Sequence, residues 1–209
     1  MDSIAKFYQE GGQFMYVITI ALVFGIAIAI ERIIFVSLRS RINTNAFVKR
    51  VIEMIQSGNL GRAVEYCRRS KAALPQITRA GLEQADSGGS EQDIQNAFEL
   101  AAMTEIPRLE KRTHYLSMIA NVATLLGLLG TIFGLIRSFQ AVAQADAAQK
   151  AALLSGGISQ AMNTTAFGLI VAIPCLILYT YIQEKTNALI DEINENVARI
   201  YQNITMQRG

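Results

Sequence analysis

The sequence has little of what catalytic and disulfide-stabilised proteins use. Its 209 residues include two cysteines, one histidine, three prolines and no tryptophan. Cys67 and Cys175 lie more than a hundred residues apart in unlike surroundings, which argues against a disulfide framework and against a zinc site. Cys67 is therefore expected to be an unreactive thiol and Cys175 a small packing residue. A single histidine leaves little room for His-based catalysis.

Charge is also scarce. Charged residues make up 17% of the chain and hydrophobic ones 51%, and the formal net charge is only +2. This composition excludes a disordered tail, and it excludes a nucleic-acid binder because too few side chains are available to neutralise phosphates. This proportion of hydrophobic to charged residues is typical of a membrane protein. We find no nucleophile with an adjacent base, no metal-ligand cluster, no phosphate loop and no cofactor motif, so an enzyme is not predicted.

Three long runs carry no formal charge: residues 12–30, 113–136 and 151–183. As a helix the first run is about 28 Å long, which matches the hydrocarbon core of a bilayer. The third run is longer than a bilayer needs, so its start, near residues 155–157, is expected to project into water. Each run is interpreted as a membrane helix.

A cleaved signal peptide is the alternative interpretation of the first run, because residues 27–29, Ala-Ile-Ala, resemble a cleavage site. Its apolar stretch is longer than an ordinary signal core, and Lys6 is offset by Asp2 and Glu10. The run is therefore kept as a membrane helix.

Basic residues set the predicted orientation. Residues 31–112 carry 13 Lys/Arg, whereas residues 137–150 carry two and residues 1–11 carry one. The positive-inside rule then places the N-terminus outside and the C-terminus inside. The predicted parts are an outer N-terminus (1–11), a first span (12–36), an inner helical region (37–112), a second span (113–138), an outer loop (139–156), a third span (157–183) and an inner helical tail (184–209).

Local signals predict helices in the inner region as well. Helix starts and stops are indicated by Asn43, by Ser57-Gly58, by Asn59, by Pro75, and by a capping box of Ser90 with Asp93. In the tail, apolar residues from Leu189 to Ile204 keep a spacing of three and four, so the third membrane helix is expected to continue inward. The predicted fold is an all-α membrane protein whose spans extend as helices outside the bilayer.

No Asp, Glu, Lys or Arg lies within the core of any span. Glu31 and Arg32 stand at the inner border of the first span and are expected to pair. Proteins that move protons across a membrane normally carry a titratable group inside it. Any ion relay through this chain must therefore borrow its carboxylate from a partner.

Small and hydroxyl-bearing residues mark one face of the second and third spans. In the second span these are Thr124, Gly127, Thr131, Gly134 and Ser138, with Gly130 and Gly134 forming a GxxxG pair; in the third they are Ala161, Thr165, Gly168, Ala172 and Cys175. Such stripes favour close helix packing, and they also suit an ion pathway lined by hydroxyls. Both interpretations stay open on the stripes alone. Pro174 either bends the third span or marks a hinge.

Two of these segments resemble a known family. Residues 127–134, Gly-Leu-Leu-Gly-Thr-Ile-Phe-Gly, with Phe139 beyond them, resemble the second-helix signature of the ExbB/TolQ/MotA family. Residues 164–169, Thr-Thr-Ala-Phe-Gly-Leu, with Pro174, resemble its third-helix signature. The resemblance covers nearly the whole chain, including helix order and both loop lengths. Three spans resemble the ExbB/TolQ branch, since subunits of the MotA branch have four.

The resemblance implies a function. Family members form a homo-oligomeric, pentameric ring around two copies of a single-span protein like ExbD or TolR, and that partner carries the intramembrane Asp. Thr131 and Thr165 match the threonines that face this Asp. The implied function is a ring subunit of an ion-motive-force-driven motor in the bacterial inner membrane, with membrane lipid and a TonB- or TolA-like protein as further contacts. A scaffold without ion coupling and a motility stator subunit are the alternatives.

The chain departs from the family pattern at two places. The family often has Ala-Pro ahead of the Leu-Leu-Gly of helix two, where this chain has Ala123-Thr124, and many members have Glu where this chain has Gln160. Without that carboxylate a ring residue is less suited to proton transfer. The polar set Gln160, Asn163, Thr164 and Thr124 leaves sodium open beside the proton, because neutral oxygens replace part of a cation's hydration shell.

Overall fold

A computed structural model describes residues 7–8, 11–39 and 43–208. Most of the predicted outer N-terminus, residues 1–11, lies outside the described residues. In the described part the regular secondary structure is helical. We number its helices α1 (Gln13–Arg39), α2 (Thr44–Gln56), α3 (Leu60–Arg68), α4 (Ala73–Asp86), α5 (Glu91–Glu110), α6 (His114–Gln144) and α7 (Ala147–Arg208).

The chain divides into two compact units. The apolar unit comprises Met1–Glu31 and Arg112–Tyr181, and the amphipathic unit comprises Arg32–Lys111 and Ile182–Gly209. Three helical stretches, Gln13–Ser37, Glu91–Gln144 and Ala147–Gln207, are long and apolar enough to cross a membrane. The three predicted spans overlap these stretches.

The amphipathic unit has its own hydrophobic core. It is built from α2 to α5 and the last part of α7, whose residues Ile193, Ile200 and Ile204 are buried as the periodic tail stripe predicts. Each such side chain contributes roughly 1.5–3 kcal/mol when it leaves water. Burial also raises the pKa of the Cys67 thiol to about 12, an effect that nearby Arg79 partly offsets. The thiol therefore stays protonated at neutral pH, as an unreactive cysteine should.

Local start and stop signals define the helices of this unit. After α2 the chain turns at Gly58, whose φ of 72° is the left-handed conformation that glycine adopts without strain. The predicted capping box is confirmed at the start of α5. The Asp93 N–H donates to Ser90 Oγ at 3.2 Å, and the Ser90 N–H donates to Asp93 Oδ2 at 2.9 Å. The Ser90 hydroxyl also donates to Asp93 Oδ2, at 2.6 Å. This bond, and after it the bond from the Ser90 N–H, holds the pKa of the Asp93 carboxyl below its usual value.

We expect Ser90→Ala to weaken the first turn of α5 by about 1 kcal/mol, the usual cost of losing a serine cap. Hydrogen exchange of the full chain in detergent measures this as an approximately fivefold faster exchange of the backbone amides of residues 92–95. Because the folded pKa of Asp93 is lowered, the stabilisation is present at neutral pH and is lost as pH falls through that lowered value, below 3.8. The difference between wild type and variant should therefore shrink in acid.

Ser87→Ala is the control, because the Ser87 hydroxyl only donates to the Gln84 carbonyl on an exposed turn. Equal acceleration in both variants, or a wild-type advantage that grows in acid, would show that the capping box does not stabilise α5.

The apolar unit packs the part of α1 that ends at Glu31 against α6 and α7. Its buried centre contains Ile18, Ala120, Ala123 and Val171. Large apolar side chains cover its outside, and Phe24, Leu125 and Ile177 are each more than 60% exposed. Apolar faces of this extent are typical of helices that meet lipid or other helices in a membrane.

α7 is a single helix of 62 residues. At 1.5 Å per residue it is about 93 Å long, roughly three times the hydrocarbon thickness. It begins at Ala147, and α6 ends at Gln144, so the segment 139–156 expected as a loop is largely helical. The physical reason is composition: the segment is rich in alanine, the residue with the strongest helix propensity, and its polar residues alone do not break a helix.

The expected pair of Glu31 with Arg32 is wrong. Glu31 accepts a hydrogen bond from Arg112, with the two charged atoms 2.8 Å apart, and Arg112 has a φ of 69° in the turn before α6. Arg32 instead is buried, donates to the Leu109 carbonyl and lies 4.9 Å over the Phe35 ring. Consecutive residues of a helix point in different directions, so neighbours in sequence do not face each other.

Candidate functional site

The predicted site residues lie along a seam between α6 and α7 in which the two backbones touch. A Cβ placed on Gly127 would lie 3.2 Å from the Thr165 Cα, and one on Gly134 would lie 3.2 Å from the Ala161 Cβ. A Cβ on Gly168 would lie only 2.7 Å from the Ala123 carbonyl oxygen. The helices therefore approach as closely as small-residue faces permit.

Gly130 is the fourth seam glycine predicted from the sequence. The side chain of Thr164 fills the space that a Cβ of Gly130 would need. Thr164 is itself buried, at 1% exposure. The Thr164 side chain therefore packs against the backbone of α6.

The Thr165 hydroxyl forms a hydrogen bond that crosses this seam. Its Oγ1 donates to the Gly127 carbonyl at 3.0 Å, and the side chain is half-buried. The absence of a side chain at Gly127 is what exposes that carbonyl to the neighbouring helix. The bond fixes the direction of the Thr165 hydroxyl proton and leaves the oxygen lone pairs available.

The hydroxyls of α6 bond within their own helix. Thr131 donates to the Leu128 carbonyl at 2.6 Å, Thr124 to the Ala120 carbonyl at 3.0 Å, and Ser138 to the Gly134 carbonyl at 3.0 Å. Thr131 is half-buried, Thr124 is exposed and Ser138 is buried. Along the helix face predicted from the sevenfold spacing, the exposure of the side chains therefore decreases from Thr124 to Ser138.

The polar residues at the start of the third span contact the segment before α1. The Thr164 hydroxyl lies 2.7 Å from the Gly11 carbonyl and 2.9 Å from the Gln160 carbonyl, so its proton is directed to these acceptors. The Gln160 amide packs against Gly12, whose φ is 74°. Asn163 is half-buried on the same helix. Thr164 and Gln160 therefore hold the chain entering α1 against α7.

Pro174 is exposed within α7, and the helix continues through it. Its missing N–H removes one hydrogen bond of the helix ladder. The next residue, Cys175, is buried beside Gly25 of α1. The structure therefore places Pro174 away from the glycines and threonines of the seam.

The seam determines which groups the threonines can bind. A hydroxyl has one proton and two lone pairs, and the Thr131 and Thr165 protons are both held by carbonyls. In this arrangement the two oxygens act as acceptors. They suit a donor such as a protonated carboxylic acid, or a cation, and they do not suit a carboxylate.

Sequence reasoning missed one polar feature near this seam. Arg137 lines a cleft together with Gln13, Gln160 and Thr164. Arg137 was visible only as the charge that ends the second apolar run, and nothing local in the sequence indicates which residues of α1 and α7 meet it.

Comparison with known proteins identifies the family. Residues 69–195 match the MotA/TolQ/ExbB proton channel family. A putative biopolymer transport protein ExbB-like 3 of Synechocystis is 32% identical over 182 residues, which cover 85% of each chain. A putative ExbB homolog of Methanothermobacter thermautotrophicus is 29% identical over 91% of this chain and 67% of its own length.

Further similarity agrees with this assignment. TolQ, a Tol-Pal system protein of Haemophilus influenzae, is 36% identical over 93 residues, covering 44% of this chain and 40% of its own. Among solved structures, that of C. jejuni MotAB matches 89% of this chain and 75% of its own with a TM-score of 0.62 at 17% identity, which shows the shared fold. The family match spans most of the apolar unit, the seam and part of the amphipathic unit. This multi-pass membrane chain thus belongs to the MotA/TolQ/ExbB proton channel family.

Proposed function

We propose that the chain is the ring subunit of an inner-membrane motor that couples ion flow to mechanical work on the cell envelope. In this proposal several copies, five by family resemblance, surround a dimer of a single-span ExbD- or TolR-like protein. The partner supplies the intramembrane Asp that carries the ion. A TonB- or TolA-like protein receives the work, and the N-terminus faces the periplasm.

One observation carries this proposal. The cores of the spans contain no carboxylate, and the Thr165 hydroxyl is fixed across the seam with its lone pairs free. A ring whose subunits offer acceptor oxygens and no acid within the membrane complements a partner that carries the acid. The family assignment supports ion coupling in general, and the hydroxyl geometry supports this division of roles.

The hydroxyl geometry favours one protonation state of the partner's Asp. A protonated Asp donates its hydrogen bond to Thr165 or Thr131, whereas the carboxylate finds no donor from either hydroxyl in this arrangement. Bonding to the neutral form raises the pKa of an acid. The partner's Asp therefore holds its proton beside the threonines and releases it when ring and partner turn relative to each other. A sodium ion would use the same oxygens, with Asn163 and Gln160 as further polar groups on α7.

A second candidate is a membrane scaffold without ion coupling. It is favoured by the hydroxyls of Thr124, Thr131 and Ser138, all of which are satisfied by carbonyls of α6 itself. Hydroxyls satisfied in this way are common in ordinary helix packing. The scaffold requires neither a titrating partner nor an ion gradient.

Affinity purification of the tagged full-length chain from its native membrane separates the two candidates. The motor predicts a stoichiometric companion with one span near its N-terminus and a single intramembrane Asp. It also predicts that an uncoupler abolishes the movement of that companion, measured as loss of gradient-dependent crosslinking between the two proteins. A chain recovered without any single-span companion, or crosslinking unchanged by the uncoupler, supports the scaffold.

A further inference from the structure

A polar cleft lies in the apolar unit, between the start of α1 and the facing parts of α6 and α7. Its polar walls are Gln13, Arg137, Gln160 and Thr164, and its apolar walls are Phe14 and Phe133. Its empty volume is about 290 Å³, including the open mouth. Gly130 and Gly134 also line it, at the place where α6 lies closest to α7.

The cleft is electropositive. Arg137 supplies a guanidinium with five N–H donors, and Gln13 and Gln160 supply amide groups. Among the described residues that line it, none carries a carboxylate. Arg137 itself is exposed, and it forms no ion pair with another described residue. Donors converging without an acid are the arrangement that binds an anion, and guanidinium is especially suited to phosphate.

The apolar walls indicate what carries the anion. The Phe14 and Phe133 rings lie 5.5 Å apart, and Phe133 is 45% exposed. Beyond them α6 presents Ile132 and Ile136 at 49% and 47% exposure. A free phosphate would gain nothing from these surfaces, whereas the acyl chain of a lipid would cover them. Arg137 also ends an apolar run of 24 residues, at the border where headgroups lie.

We propose that this cleft binds the phosphate of a membrane phospholipid. Arg137 holds the phosphate, Gln160 and Gln13 donate further hydrogen bonds to the headgroup, and Phe14 and Phe133 contact the start of an acyl chain. A lipid bound there would bridge α1, α6 and α7. This binding requires no ion coupling, so its test and that of the motor are independent.

The test is native mass spectrometry of the full-length chain in detergent, titrated with phosphatidylglycerol. Dioleoylglycerol, which lacks the phosphate, and inorganic phosphate are the comparison ligands. Arg137→Gln should weaken phosphatidylglycerol binding tenfold or more, and Gln160→Leu, which changes no charge, should weaken it severalfold. Lys150→Gln removes an equally exposed cation of α7 that lies outside the cleft and should leave binding unchanged. Dioleoylglycerol should not bind.

Three results would overturn the proposal. Wild-type affinity in both Arg137→Gln and Gln160→Leu would show that lipid does not use the cleft. An equal loss of phosphatidylglycerol binding in Lys150→Gln would show that Arg137 acts only as a general surface charge. Displacement of the lipid by millimolar inorganic phosphate would show that the site recognises free phosphate instead of a lipid.

Discussion

Thr165→Val is expected to abolish ion-driven work while leaving the protein folded and assembled. Valine keeps the shape of threonine, so the half-buried side chain still fills its place in the seam. What is lost is the oxygen that donates to the Gly127 carbonyl and that, in the proposed motor, accepts a bond from the partner's acid. A group that acts directly on the ion is worth orders of magnitude in rate, so we expect residual activity below about 1%. Gradient-driven activity of the reconstituted complex measures this.

Two variants on the same helix make this prediction specific. Thr180→Val removes a hydroxyl that donates only to the Leu176 carbonyl on the exposed side of α7, so activity should stay close to wild type. Thr165→Ser retains the oxygen and should retain much of the activity. If Thr165→Val works normally, or if Thr180→Val fails equally, Thr165 has no part in ion transfer.

The second large effect is expected from Gly168→Ala. The added methyl group would lie 2.7 Å from the Ala123 carbonyl oxygen, which is backbone and cannot rotate away. Overpacking of this kind costs about 1–3 kcal/mol, and for a chain of this size each kcal/mol lowers the melting temperature by roughly 2–4 °C. Thermal unfolding of the purified chain in detergent should therefore shift downward by several degrees.

Gly156→Ala is the matched control because it lies on the same helix, where the new methyl group would have no described atom within 4 Å apart from its chain neighbours and the adjacent backbone of α7 itself. Alanine favours a helix by roughly 1 kcal/mol over glycine, so this variant should melt at the same or a higher temperature. A seam that tolerates Gly168→Ala as well as Gly156→Ala would show that α6 and α7 are not in close contact.

Features that depend on a few neighbouring residues could be predicted from the sequence. The capping box at Ser90 and Asp93, the turn at Ser57-Gly58 and the buried tail stripe all follow from local chemistry and periodicity. The three apolar stretches follow from composition alone.

Features that depend on which helices meet could not be predicted in the same way. Spacing placed Thr131 and Thr165 on small-residue faces, but it could not show that Thr165 bonds across the seam while Thr131 bonds within its own helix. Nor could it pair Glu31 with Arg112, 81 residues away. The cleft at Arg137 requires three helices to be positioned before its walls exist. Side-chain direction in a folded bundle is set by packing, which a linear pattern does not contain.

Ion flux into proteoliposomes under an imposed proton or sodium gradient measures most directly whether a second polypeptide supplies the titrating acid. Vesicles would contain this chain alone, the chain with its single-span partner, or the chain with a partner whose intramembrane Asp is replaced by Asn. We expect flux only with the unaltered partner, and none when Thr165→Val replaces the wild-type chain. Flux through this chain alone, or unchanged flux with the Asn partner, would show that the titrating acid does not come from a second polypeptide.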